Sequence, residues 1–185
     1  MIDLFKRESA SRSQTPSGSI CVWGPTGSPG KSTVALNLAC ELALAGKRVL
    51  LVDLDTYSAS IGIMLGINEP TPGLAAAVRL VGQGRLDAEQ FSRLALEHRV
   101  GKGTLSLLTG LGSELRWPEI TAEKTKNLIS VALENYQYVI LDVASPLEAG
   151  LKQVGGIVDR NAATRTALES CAMTLAVLSA DQVGV

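Results

Sequence analysis

Histidine is almost absent from this chain, cysteine is scarce, and neither is spaced for chemistry. His98 is the single histidine. It stands at the end of a helical pattern beside Arg99 and reads as a surface residue rather than an acid–base catalyst. The three cysteines, Cys21, Cys40 and Cys171, are far apart in sequence. No pair has metal-ligand spacing, and an odd number fits the reduced thiols of a cytoplasm. They read as small core residues. No apolar run reaches the roughly 18–20 residues that span a bilayer. The start, Met1-Ile2-Asp3-Leu4-Phe5-Lys6-Arg7, lacks the hydrophobic centre of a signal peptide, so export is not expected. Excess charge of one sign is missing too: 17 Lys and Arg face 18 Asp and Glu, for a net charge of −1. That excludes a domain-wide basic surface for nucleic acid, though not a local patch. The few cations of the start, Lys6, Arg7 and Arg12, are mixed with Asp3 and Glu8 and do not make a DNA or membrane arm.

What is present is a core-forming composition. Hydrophobic residues make up 46% and charged residues 19% of 185 residues, which suits one globular domain. Residues 1–18 are rich in Ser, Arg, Gln, Thr and Pro and read as a flexible tail; residues 19–185 read as one nucleotide-binding domain. In that body, apolar runs alternate with helical patterns. Strands are expected at 19–23, 48–54, 104–108, 138–143 and 172–178. Helices are expected at 31–45, 74–82, 87–98, 121–135 and 161–170, with Gly46 closing the first, Thr121 capping the fourth and Asn161 capping the last. The run Arg48-Val49-Leu50-Leu51-Val52-Asp53-Leu54 is apolar on both faces, as a central parallel strand requires. The β-α-β alternation predicts an α/β three-layer sandwich with a mostly parallel sheet. Such a sheet would continue past the fifth strand, so the domain is expected to be incomplete at its C-terminal side.

The first strand runs straight into Gly24-Pro25-Thr26-Gly27-Ser28-Pro29-Gly30-Lys31-Ser32-Thr33. Glycines allow successive backbone N–H groups to curl toward phosphate oxygens. The following helix aims its positive dipole end at the same point. Lys31 supplies a full charge for the β- and γ-phosphates, and Ser32 a hydroxyl for Mg²⁺. This is a P-loop with two departures. Pro25 holds the place of the usual first glycine, with Gly24 one residue early, and Pro29 removes a donor and biases Ser28 toward extended geometry. A dinucleotide fingerprint fits less well. Thr26 replaces its second glycine, and Lys31-Ser32 has no part in it, although Asp53 could imitate its ribose-binding acid.

Three carboxylates end apolar strands: Asp53 and Asp55 in the Asp53-Leu54-Asp55 end of the second, and Asp142 in the fourth. Parallel strands bring their C-terminal ends to one edge, the edge of the P-loop, so the three acids can gather at one Mg²⁺–phosphate site. The alternative reading is that they cap loops. Such acids are costly unless paired or liganded.

On these residues the chain resembles the ParA/MinD family of P-loop ATPases, and within it the MinD-like, pilus-assembly-related ATPases of actinobacterial type. The resemblance runs from about Ser19 to Val185. It is carried by WGPTGSPGKSTVALNLACELALAGKRVLLVDLDTYSASIGIMLG, YVILDVASP and DRNAATRTALESCAMTLAVLSADQVGV. It implies a P-loop NTPase fold and ATP with Mg²⁺. Gly27, Ser28, Gly30, Lys31, Ser32 and Thr33 would cradle the nucleotide, with Thr33 near the α-phosphate. Ser32, Asp53 and Asp142 would serve the metal. Lys31 and Asp55 would be catalytic, Asp55 orienting the attacking water. Residues 57–66 and 143–150 would move with the nucleotide state. It also implies an ATP-dependent homodimer, a protein partner in a positioning system, and cytoplasmic residence with contacts at membrane or nucleoid. The family's signature lysine, five residues before Lys31, is replaced by Thr26.

The leading expectation is therefore a Mg²⁺-dependent ATPase used for spatial positioning of chromosome, division site or pilus machinery. A non-hydrolysing nucleotide-binding scaffold and a small-molecule phosphotransferase are the alternatives. Trp23 reads as strand core, Trp117-Pro118 as a turn, and Arg160 and Arg165 as a solvated helix face.

Overall fold

The centre of the sheet is the strand with no polar interruption until its end. The computed structural model describes residues 18–27, 29–67, 73–153 and 156–178. Among them β1 (Gly18–Trp23), β2 (Val49–Leu54), β3 (Leu96–Val100), β4 (Gly103–Leu108) and β5 (Tyr138–Val143) join the edge strand β8 (Met173–Ala176) in one six-stranded sheet. The order is β3-β4-β2-β5-β1-β8, parallel throughout except for β3. A separate ribbon, β6 (Leu151–Gln153) with β7 (Gly156–Val158), follows β5. Residues 1–17 of the tail and Ser28 lie outside the described residues, while Gly18 already belongs to β1.

Every residue of β2 is buried. Its alternation assigns Val49 and Leu51 to one layer and Leu50, Val52 and Leu54 to the other. Each fully buried Leu contributes roughly 1.5–3 kcal/mol. On the first face lies α1 (Lys31–Leu44), which packs through Ala35, Ala39 and Ala43, a stripe at i, i+4, i+8 that lets helix and sheet approach closely. On the second lie α3 (Gly73–Gly82), α4 (Ala88–Leu94), α5 (Ala122–Asn135) and α6 (Ala162–Ser170), closing over Phe91, Leu128 and Leu141. A one-turn helix, α2 (Ile61–Met64), follows β2 on the α1 side. The result is the three-layer α/β sandwich.

Local grammar accounts for some of the boundaries. The Thr121 side chain accepts from Lys124 N at 3.3 Å, and Gly46, at φ 74°, follows α1 while donating to Ala43 O. The stretch 87–98 departs from expectation. Its helix ends at Leu94, and Leu-Glu-His-Arg-Val pairs antiparallel with β4 as an edge strand, His98 opposite Leu105. These five residues alternate half-buried and exposed, so the period of two overrides the helical pattern. Asn161 also departs. It precedes α6 but makes no side-chain cap, because its amide is engaged elsewhere. No helix among the described residues is long and apolar enough to cross a membrane.

Candidate nucleotide site

The C-terminal ends of β1, β2 and β5 meet at one edge. Register aligns Val22 with Asp142 and Asp142 with Asp53. Both acids continue the α1-facing series of their strands, after Val49-Leu51 and after Ile140. They therefore lie beneath the first turn of α1, where Ser32 sits.

The loop between β1 and α1 takes its shape from glycine. Gly27 and Gly30 adopt φ 91° and 97°, a conformation L side chains avoid. Gly24 answers a different need. A Cβ there would lie 2.3 Å from the Val177 carbonyl oxygen, where β8 leaves the sheet. The displaced first glycine of the motif is thus fixed by strand packing. Thr26 and Gly27 are exposed and Ser32 is half-buried. The Lys31 ammonium donates to Ser145 Oγ at 2.5 Å, and the Ser60 hydroxyl donates to Ser32 Oγ at 3.1 Å.

The three carboxylates part company here. Asp53, fully buried, is saturated by backbone. Its Oδ2 accepts from Ser60 N at 2.9 Å and Ile61 N at 3.0 Å, and Oδ1 accepts from Asp55 N at 3.4 Å. It braces the start of α2. Burial pushes its pKa up to about 7, the Ile61 amide lowers it, and the neighbouring Asp142 raises it. Asp142 is 1% exposed, and burial pushes its pKa up to about 6. The Ser32 hydroxyl draws it back down, yet neither carboxylate oxygen completes a hydrogen bond within the chain. A buried carboxylate so placed costs several kcal/mol, roughly, unless a cation joins it. Asp55 is half-buried, with Oδ1 accepting from Tyr57 N at 2.8 Å and Ser58 N at 2.9 Å. It opens on a cavity of about 250 Å³ shared with Leu111, Gly112 and Ser113.

The residue set fits Mg²⁺. An orphaned buried carboxylate and a hydroxyl stand beside a lysine at a helix start, and Mg²⁺ takes one or two protein oxygens and fills its shell with water and phosphate. Among the described residues no group of three or more His, Cys, Asp or Glu could form an all-protein metal cage.

Several participants lie outside the motif. Trp23 packs against the core, and its indole Nε1 also donates to Ser145 O at 3.0 Å. Ser145 therefore ties the loop after β5 both to β1 and to Lys31. Arg160 and Arg165 are not a solvated helix face. Arg160 Nη2 donates to Thr56 O at 2.5 Å, while Arg165 donates to Leu147 O and Glu148 O and pairs with Asp159. The only sequence signal for these two was arginine at the start of a helix beside an Asn.

The pattern of the CobQ/CobB/MinD/ParA nucleotide binding domain matches residues 20–177. The chain belongs to this family. Among curated relatives, it is 30% identical over 129 residues to the iron-sulfur cluster carrier protein of Aquifex aeolicus, covering 67% of this chain and 32% of that protein. It is 28% identical over 142 residues to the septum site-determining protein MinD of Bacillus subtilis, covering 76% and 50%. The chain thus spans half or less of the length of these relatives. In fold it resembles the ParA family ATPase of Chlorobium tepidum, with a TM-score of 0.67 at 19% identity over 91% of this chain and 63% of that one. MinD of Pyrococcus horikoshii complexed with Mg-ADP gives 0.66 at 19% identity, over 90% and 59%.

Proposed function

We propose that this MinD/ParA-type domain binds ATP with Mg²⁺, hydrolyses it, and uses the cycle to position other machinery in the cell. The observation that carries the reading is Asp142, a buried carboxylate that faces the Ser32 hydroxyl near the P-loop lysine and completes no hydrogen bond within the chain. Lys31 binds the β- and γ-phosphate oxygens as a charge-assisted donor. The loop amides and the start of α1 bind the rest of the phosphate chain. Ser32 and Asp142 would hold Mg²⁺, which when bound neutralises charge on the phosphate oxygens. Asp53 fixes the start of α2 and so fixes Ser60, whose hydroxyl orients Ser32. Asp55, with one oxygen pinned by two amides, orients the attacking water with the other. Catalysis is positioning and charge neutralisation rather than covalent chemistry.

Two exposed apolar side chains support association with a second copy. Ile63, in the short helix after β2, is 75% exposed, and Leu115, in the segment after β4, is 87% exposed. A nucleotide-dependent homodimer, a protein partner, and a cytoplasmic location with contacts at membrane or nucleoid complete the proposal. Thr26 favours a second reading, a nucleotide-binding scaffold with little turnover, because no lysine stands there to reach a partner's phosphates. Single-turnover hydrolysis, with and without DNA or lipid vesicles, separates the two. The first reading expects Asp55→Ala to keep ATP affinity within about threefold and to abolish turnover, through loss of the positioned water alone. Equal loss of binding in Asp55→Ala and Lys31→Ala contradicts the role given to Asp55.

A further inference from the structure

The two residues that open α6, Arg160 and Asn161, reach back 104 positions to the loop after β2. The Arg160 guanidinium lies 3.9 Å from the centre of the Tyr57 ring, and its Nη2 holds Thr56 O. The Tyr57 hydroxyl donates to Asn161 Oδ1 at 2.8 Å. On its other side, Asn161 Nδ2 donates to Glu148 O at 3.0 Å, in the loop after β5. A carbonyl only accepts, so Glu148 fixes the amide's orientation and leaves Oδ1 for Tyr57. Asn161 is 7% exposed, and losing either bond strands a buried polar group.

Each end of this chain leads into the nucleotide site. Tyr57 N is one of the two amides that hold Asp55 Oδ1. Glu148 lies three residues beyond Ser145, which accepts from Lys31 and from Trp23. A bond that served packing alone would tie one loop to the core. Here one amide side chain takes one partner from each of two loops.

We propose that Tyr57, Arg160 and Asn161 are positioning residues that latch the Asp55 loop to the Ser145 loop, so that the placement of Asp55 depends on the state of the loop touching Lys31. The latch gives phosphate contact at Lys31 and Ser145 a physical route to the water-orienting carboxylate. Its effect on turnover rests on the ATPase reading; the coupling of the two loops does not.

Amide hydrogen exchange on the full chain without nucleotide tests the coupling. Tyr57→Phe keeps the ring under Arg160 and removes only the hydroxyl. It is expected to speed exchange roughly fivefold, the worth of one hydrogen bond, in residues 56–60 and also in 144–149, with β4 and α5 unchanged. Asn161→Ala is expected to do the same, and the double variant to open the loops no further than the more severe single one. Faster exchange confined to 56–60 in Tyr57→Phe, or additive effects in the double variant, overturns the latch. In turnover, Tyr57→Phe should lower kcat by roughly 5–10-fold with KM unchanged. An unchanged kcat in a variant whose two loops open together overturns the positioning role. If the wild-type chain turns over no ATP, the ATPase reading fails, and the exchange result alone decides the latch.

Discussion

The loop after β1 and the loops after β2 and β5 leave the same edge of the sheet, but they are held in different ways. The first is shaped by its own residues: two glycines with positive φ, a third pressed against Val177 O, and the start of α1. The other two carry ties from elsewhere as well, Arg160, Asn161 and Arg165 from the region of α6 and Trp23 from β1, added in the loop after β2 to its own Asp53 and Asp55. A loop shaped mainly by its own glycines depends less on contacts from other elements. A loop held from outside can be released by breaking a few bonds, which is what a switch requires.

Four experiments break or sharpen this contrast. The largest effect belongs to Lys31→Ala, inside the self-shaped loop. Loss of one charge-assisted phosphate contact, worth about 3 kcal/mol, predicts affinity for Mg-ATP lowered about 100-fold or more by titration with a fluorescent analogue. Gly24→Ala comes next. A Cβ 2.3 Å from Val177 O must push β8 from β1, at a cost of about 1–3 kcal/mol in urea unfolding. Stability no different from wild type would mean that the loop is not packed as described.

The third experiment varies pH. Asp53 and Asp142 bind protons more tightly folded than unfolded, so unfolding releases protons. Without nucleotide, stability should fall as pH rises from the ordinary value of 3.8 through about 6 for Asp142 and about 7 for Asp53. The slope is at most about 1.4 kcal/mol per pH unit for each group. Asp142→Asn should remove its share and gain stability at pH 8, while Mg²⁺-dependent binding is lost. Stability that rises across this window contradicts the burial of both acids. The smallest effect is expected from Arg165→Ala. It should raise exchange roughly twofold to fivefold at 147–149, the scale of one exposed hydrogen bond, and leave 24–30 untouched.

The same contrast governs how much of the site was legible in the sequence. The P-loop, the five parallel strands and the Thr121 cap follow from neighbours along the chain, and glycine spacing, apolar runs and cap chemistry record them. The edge strand at Leu96–Val100 was hidden because Asp87–Leu94 begins a helical pattern that runs into it. The division of labour among Asp53, Asp55 and Asp142 was hidden because it depends on which amides of the following loop turn back. Asn161 was read as a cap because its residue type and place allow one. Its actual partners, Tyr57 and Glu148, become neighbours only when two loops meet over α6. No spacing rule reaches across 104 residues to join Tyr57 with Asn161.

Asp142 and Ser32 are the residues on which a Mg²⁺–nucleotide site at the P-loop depends. Titration of the folded chain with a fluorescent ATP analogue, with and without Mg²⁺ and in competition with ATP, GTP and NAD, tests this directly. Binding is expected to need Mg²⁺, to be displaced by ATP and not by NAD, and to weaken as pH falls through about 6, where Asp142 takes up a proton. Binding that is equally strong without Mg²⁺ and in Asp142→Asn, or no binding by a chain shown to be folded, would contradict it.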